Sequence, residues 1–253
     1  MSTSSNSKDW FICPQANPEA ELRIFLFPYA GGSPSVFNKW AAGFPGNVET
    51  RIAHYPGRGS RHNEALIKQI SVLAEGLAEA VQPLADKPFA FLGHSLGGLV
   101  AFELARGLRR SHQRQPDILF ISACGAPHLP DPHPPIHELP DPEFLHSLQQ
   151  LHGVPAEALQ QPEVMQLLLP ILRADFQAME SYVYTPEPPL PCPIRALGGC
   201  DDPRLSRKRL EDWCLQTSSS CKAEYFAGDH FFIHTAREAV IASITAELAA
   251  AHE

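Results

Sequence analysis

A serine bracketed by glycines, Gly93-His94-Ser95-Leu96-Gly97, is a setting in which a hydroxyl can be made into a nucleophile. The apolar run Phe89-Ala90-Phe91-Leu92 comes before it, and a helical pattern over 99–110 comes after it. A strand that turns sharply into a helix at such a serine lifts the hydroxyl above the edge of a sheet. Gly93 and Gly97 leave room where side chains would collide with the turn, and Gly98 lets the helix lie close to its neighbours. The helix then aims its unpaired N–H groups and the positive end of its dipole at any anion formed beside Ser95.

A serine hydroxyl is a poor nucleophile until a base takes its proton, and the base needs a third group to orient it. After a nucleophile on a strand–serine–helix turn, the acid and then the histidine follow in chain order. Of the 12 histidines, His230 in Gly228-Asp229-His230-Phe231 is best placed, because it follows the last predicted strand. His234 falls in the next turn, and His94 diverges from its neighbour Ser95 on the sharp bend. The acid belongs to Gly198-Gly199-Cys200-Asp201-Asp202-Pro203, after the strand at 194–197. Asp202 keeps a Gly-x-x-Asp spacing from Gly199, and Asp201 keeps it from Gly198, so both carboxylates remain candidates. An oxyanion hole would draw one backbone N–H from Leu96 and a second from Ala30, which precedes Gly31-Gly32 after the strand at 22–27.

These groups need a sheet to hold them. Apolar strands are predicted at 22–27, 51–55, 89–92, 117–123, 194–197 and 223–226. Pro34 begins a helix carrying Val36, Phe37 and Trp40. Apolar residues at helical spacing predict further helices over 64–82 and 238–251. Strands alternating with amphipathic helices imply an α/β fold, a mostly parallel central sheet covered on both faces. Residues 1–21 read as a tail and lead-in, and 22–253 as one domain.

One region breaks the alternation: 15 of the 25 prolines lie between 127 and 193. Within it, Asp141-Pro142-Glu143 starts a helix carrying Phe144, Leu145, Leu148 and Leu151 as far as Gly153. A second helix spans 163–184 with Val164, Leu167, Leu168, Ile171, Leu172, Phe176 and Met179, and Pro170 should kink it. The insertion, about 127–190, falls between two strands, so it reads as a helical lid over the catalytic edge. Phe144, Leu148, Leu172 and Phe176 are its candidate acyl-binding residues.

A net charge of −8 without a long basic run argues against nucleic acid. Residues 2–8 are polar with no apolar core of a signal, and no segment reaches about 18 uninterrupted apolar residues, so neither export nor a membrane is expected. A cytoplasmic monomer is the expectation. The six cysteines lack metal-ligand spacing and read as reduced and mostly buried, with no metal site. Arg58, Arg61, Arg106, Arg109, Arg110 and Arg114 are open to two readings, a solvated basic surface or contacts to a phosphate or an acidic partner.

Together, Phe27-Pro28-Tyr29-Ala30-Gly31-Gly32-Ser33, Tyr55-Pro56-Gly57-Arg58-Gly59, the Ser95 turn, Gly199-Cys200-Asp201-Asp202-Pro203 and Gly228-Asp229-His230-Phe231 resemble one family. It is that of the type II, external editing thioesterases of polyketide and nonribosomal peptide synthetases. The resemblance implies an α/β-hydrolase with a helical lid that removes stalled or wrong acyl groups from the phosphopantetheine arm of carrier proteins. It implies Ser95 as nucleophile, Asp202 as acid, His230 as base, and the N–H groups of Ala30 and Leu96 as oxyanion hole. The partners implied are acyl or peptidyl carrier domains, with acyl-coenzyme A as a surrogate and no cofactor of the chain's own. A general carboxylesterase or lipase, an acyltransferase and a catalytically silent synthetase-binding protein remain open on the residues alone.

Overall fold

The computed structural model describes residues 10–150 and 161–251. The polar stretch 2–8 and the predicted end of the first lid helix at Leu151–Gly153 lie outside the described residues. Seven strands form one sheet: β1 (Phe11–Ile12), β2 (Leu22–Phe27), β3 (Val48–Ala53), β4 (Phe89–His94), β5 (Ile118–Ser122), β6 (Ile194–Gly199) and β7 (Cys221–Phe226). Their order is β1-β3-β2-β4-β5-β6-β7, and every neighbouring pair is parallel except β1 with β3. The described helices are α1 (Ile70–Val81), α2 (Leu96–Arg110), α3 (Asp141–Gln150), α4 (Pro162–Glu180), α5 (Arg207–Glu211), α6 (Phe232–Thr235) and α7 (Arg237–Ala250).

The two-residue period of the strands decides which helix each side chain meets. Phe25, Phe27, Phe89 and Phe91 share one face, where their rings meet edge to face or tilted at centroid separations of 5.3–5.7 Å, and they pack with residues of α1 and α2. Ile24, Leu26, Ala90 and Leu92 take the other face, with Phe37, Trp40 and the Val240, Ile241 and Ile244 side of α7. Both faces of β2 and β4 are therefore buried, which is why Ile24-Phe25-Leu26-Phe27 and Phe89-Ala90-Phe91-Leu92 read as apolar runs.

Several boundaries depart from the sequence expectation for visible reasons. The helix predicted over 64–82 begins only at Ile70. Glu64 is held by Arg61 instead, with Nη2 2.6 Å from Oε2, and Leu66 lies over Gly57, so 64–69 serves the loop after β3. The helix expected from Pro34 is a single 3₁₀ turn, Pro34–Phe37. Strand β1 has only two residues, too few to show a period, and is fixed by pairing with Ile52 and Ala53. The cysteine expectation fails at two positions: Cys214 and Cys221 form a disulfide, their Cα atoms 5.2 Å apart across the turn into β7. Cys200 is exposed and Cys13 half-buried, so burial of the thiols is not general either.

Helices α3 and α4 lie between β5 and β6, where the insertion was expected. Helix α4 continues across Pro170 and ends at Glu180. Phe144 and Phe176 are buried and meet edge to face at 5.8 Å, joining the two helices. Val164 and Leu167, predicted on the same apolar face, are instead exposed, Leu167 to 77%.

The sheet's tightest contact is at the serine turn. A Cβ on Gly93 would stand 2.0 Å from the carbonyl oxygen of Gly97, and one on Gly97 would stand 2.0 Å from that of Phe27. Both obstacles are backbone and cannot rotate away. Gly97→Ala should destabilise the protein by more than about 4 kcal/mol, lowering Tm by about 10 °C in calorimetry. A Tm within two or three degrees of wild type would show that β2 and the turn can separate cheaply.

Candidate active site

Parallel register brings the chemistry to one edge. Phe27 pairs with Gly93, and His94 with Ser122, so the loops after β2, β4 and β5 leave the sheet side by side. Ser95 sits between β4 and α2 with φ 53° and ψ −115°, a conformation that costs a non-glycine residue about 1–3 kcal/mol. Its N–H is held by the Ser122 carbonyl at 2.8 Å, and its own carbonyl accepts from Gly98 at 2.8 Å. The strain is thus fixed by bonds on both sides, and it presents the side chain to a chamber of about 440 Å³ that His230 also lines.

The loops after β6 and β7 are tied by backbone bonds, Cys200 N–H to Phe226 O at 2.8 Å and Asp201 N–H to Gly228 O at 3.0 Å. That tie brings Asp202 to His230: Oδ2 lies 2.8 Å from Nδ1, and both residues are buried. Asp201, the other candidate acid, is exposed. Burial is the largest influence on His230 and pushes the imidazole below its ordinary range; the Asp202 hydrogen bond and charge recover only part of that. For Asp202, burial acts upward, but the bond to His230 and the Arg204 N–H, 2.9 Å from Oδ1, hold the carboxyl below its usual range. At neutral pH the pair is therefore a neutral imidazole beside an ionised carboxylate, the state in which an imidazole can take a proton.

His94 takes no part in that pair. It is fully buried, with Nδ1 2.8 Å from Ser122 Oγ and its ring 5.3 Å from that of His230. Burial, with the nearby charges of His230 and His234, pushes it well below the ordinary range, so it is a neutral packing surface for the base. His234 lies 3.1 Å from the Tyr29 hydroxyl.

In the loop after β2, Gly32 N–H bonds the Tyr29 carbonyl at 2.9 Å and Gly31 N–H bonds Asp175 Oδ2 at 2.7 Å. No described residue accepts from the N–H of Ala30 or from that of Leu96 at the first turn of α2. Both amides named from the sequence as oxyanion candidates are thus without an acceptor among the described residues.

Sequence reasoning missed Asp175. It lies on α4, fully buried, and its carboxylate takes both Arg58 Nη1 and Nη2 at 2.7 and 2.8 Å besides the Gly31 N–H. Arg58 Nη1 also donates to Gly32 O at 3.1 Å. Burial acts against the Arg58 charge, but Asp175 outweighs it and holds the guanidinium above its ordinary value. The signal was present in the sequence: Asp175 interrupts the 168–172–175–179 stripe of an apolar helix, and a carboxylate there requires a buried cation. Arg58 is thus spent inside the protein, and so is Arg61, which bonds His54 O and Glu64 beneath Trp10. Arg106 and Arg109 pair with Glu187, and Arg106 also with Glu103. Neither open reading, a solvated basic surface or contacts to a phosphate or an acidic partner, describes Arg58, Arg61, Arg106 and Arg109, which are paired within the protein.

Of the four lid residues singled out, Phe176 lines the chamber. Phe144, Leu148 and Leu172 are buried away from its described lining: Phe144 packs on Phe176, and Leu172 covers Gly31.

A strained serine turn, a His–Asp pair beside it and two free amides on a mostly parallel sheet define an α/β-hydrolase. A family model described as "Thioesterase domain" matches residues 22–248, and the chain belongs to that family. It is 42% identical to the "Linear gramicidin dehydrogenase LgrE" of Brevibacillus parabrevis over 94% of this chain and 92% of that protein. It is 40% identical to the "Gramicidin S biosynthesis protein GrsT" of Aneurinibacillus migulanus, over 95% and 94%. Among solved structures it is similar to the type II thioesterase BorB of the borrelidin biosynthetic cluster, with TM-score 0.87, 32% identity, and coverage of 98% and 100%.

Asp175→Asn leaves the Gly31 acceptor in place but removes the charge that balances buried Arg58. Breaking such a pair costs about 3–5 kcal/mol, and Tm should fall by at least about 6 °C. Because the loop that carries Ala30 hangs on the same carboxylate, kcat for thioester hydrolysis should fall about tenfold or more while KM stays nearly constant. An unchanged kcat would separate the pair from the loop.

Proposed function

We propose that this thioesterase frees acyl groups from the phosphopantetheine arm of carrier proteins, clearing stalled or incorrect ones during polyketide or nonribosomal peptide assembly. The observation that carries the reading is Ser95 on its strained turn in one chamber with the His230–Asp202 pair. The family and the resemblance to gramicidin and borrelidin biosynthetic proteins support the substrate class. Ser95 Oγ attacks the thioester carbonyl as His230 takes its proton, and Asp202 stabilises the imidazolium. The N–H groups of Ala30 and Leu96 receive the oxyanion. As the intermediate collapses, the C–S bond breaks and His230 returns the proton to the departing sulfur. A thiol with an ordinary pKa of about 8.5 leaves readily, so modest acid assistance suffices. Water, deprotonated by His230, then attacks the acyl-serine; the acyl–oxygen bond breaks, His230 returns the proton to Ser95 Oγ, and the free acid departs. The reaction needs no cofactor of the chain's own, and the partner is a carrier domain, with acyl-coenzyme A as a surrogate. Among the described residues no helix is long and apolar enough to cross a membrane.

A panel of acyl-carrier proteins, with acyl-coenzyme A and equal-length oxygen esters as references, tests this reading. Carrier thioesters should be turned over fastest. Ser95→Ala should abolish the activity, and Asp202→Asn should lower kcat about 10⁴-fold against little change for Asp201→Asn. Faster turnover of oxygen esters would make the protein a general esterase.

The pH profile carries a second expectation. His230 must be neutral to act, and its burial holds its protonation below the ordinary histidine value of about 6.5. The acid limb of kcat/KM should therefore fall below that value, with activity lost as pH drops through it. A limb at or above about 7 would mean that the Asp202 charge outweighs burial.

A further inference from the structure

The polar groups lining the chamber are nearly all engaged elsewhere. Arg209 donates to the Pro130 carbonyl. Glu180 accepts from the N–H groups of Ile136 and His137. Tyr182 donates to Glu103, and Tyr184 to Gln216. Arg204 is different. Its backbone N–H holds Asp202, so its position is fixed two residues from the acid, and its half-buried guanidinium stands over the Phe176 ring at 5.7 Å. Among the described residues, no hydrogen-bond or ion-pair partner takes that guanidinium, although Arg204 lines the chamber with Ser95 and His230.

An arginine offers five N–H donors and stays charged at neutral pH. Those of Arg204 open on the chamber instead of on protein acceptors, so they are available to an acceptor oxygen brought in from outside. The surrounding charge limits what that acceptor is. Asp131, Asp202 and Glu180 already attract Arg204 from beyond bonding distance, and burial still leaves its pKa lowered. A fourth carboxylate would enter against these three, whereas a neutral carbonyl oxygen adds hydrogen bonds without adding charge. We infer that Arg204 and Phe176 form a subsite for a neutral acceptor oxygen on the acyl chain, a keto or amide carbonyl beyond the thioester. The enzyme then favours oxygenated polyketide or peptidyl acyl groups over saturated chains and over dicarboxylic ones. The inference rests on the proposed hydrolysis of carrier-bound acyl groups for its biological meaning, but the subsite can be read without turnover.

Acetoacetyl- and butyryl-pantetheine differ by one keto oxygen on the same four-carbon chain, and malonyl-pantetheine supplies the carboxylate. Binding of all three is measured by calorimetry to Ser95→Ala protein and to the Ser95→Ala, Arg204→Met double variant. Acetoacetyl-pantetheine should bind about tenfold tighter than butyryl-pantetheine, and the preference should vanish with Arg204. If the methionine variant melts early, Arg204→Gln, which keeps one amide donor, should retain an intermediate preference. Equal affinities, a preference indifferent to residue 204, or no binding of any of the three overturns the subsite. Tightest binding of malonyl-pantetheine overturns the neutral-acceptor reading in favour of a carboxylate site. Wild-type protein that shows the preference in binding but cleaves none of the thioesters retains the subsite and defeats the proposed hydrolysis.

Discussion

The contact between backbones at the serine turn is the constraint from which the rest of the site follows. Gly97 lies against the Phe27 carbonyl and Gly93 against Gly97, with no space for a single extra carbon. Because α2 presses so closely on the ends of β2 and β4, the turn that holds Ser95 at positive φ lies directly against Phe27 and Pro28, where the loop of Ala30 begins. The strain at Ser95 is small beside the packing around it: Phe25, Phe27, Phe89 and Phe91 are fully buried on one face of the same strands. Fully burying side chains of that size contributes about 1.5–3 kcal/mol each. The sheet can hold one residue in a poor conformation because many residues near it are in good ones.

A second interaction links what covers the site to what performs the chemistry. Asp175 belongs to the lid helix, Arg58 to the loop after β3 and Gly31 to the loop after β2, and one buried carboxylate holds all three. Buried ion pairs are weak contributors to net stability, yet strong in geometry, because removing either partner strands a charge. With Gly31 fixed by Asp175 and Gly32 by Tyr29, the amide of Ala30 is left free and is held on either side by its neighbours. Helix α4 is therefore bonded into the loop that carries Ala30, rather than resting on the sheet edge as a separate cover.

What the sequence revealed and what it hid divide along distance in the chain. The strands β2 and β4, the serine turn and the His230 loop were legible because local pattern and local geometry agree there: an apolar run, then glycines, then a functional residue. The choice between Asp201 and Asp202 was not legible, since each sits at the same spacing from a glycine. It depends on backbone bonds between the loops of β6 and β7 that turn Asp201 outward and Asp202 toward His230. Arg58 was noticed and misread, because its partner lies 117 residues away. Helix periodicity placed Phe144, Leu148, Leu172 and Phe176 on buried faces, but a period cannot tell burial in a core from burial around a substrate. Three of the four pack away from the chamber, and only contacts between helices decide which.

The same reasoning bears on how this active site handles charge. His230 and His94 meet edge to face beside Phe231 and Phe232, and burial pushes both imidazoles toward their neutral forms. The Asp202 carboxylate reaches the His230 ring rather than that of His94, whose Nδ1 faces the neutral Ser122 hydroxyl. Two histidines of similar burial are thereby made unequal by their partners. An imidazolium formed at His230 has an anion 2.8 Å away, whereas one formed at His94 would have none. A proton is thus stabilised at the His230 ring, beside the Asp202 carboxylate, and not at His94, although His94 is the one next to Ser95 in sequence.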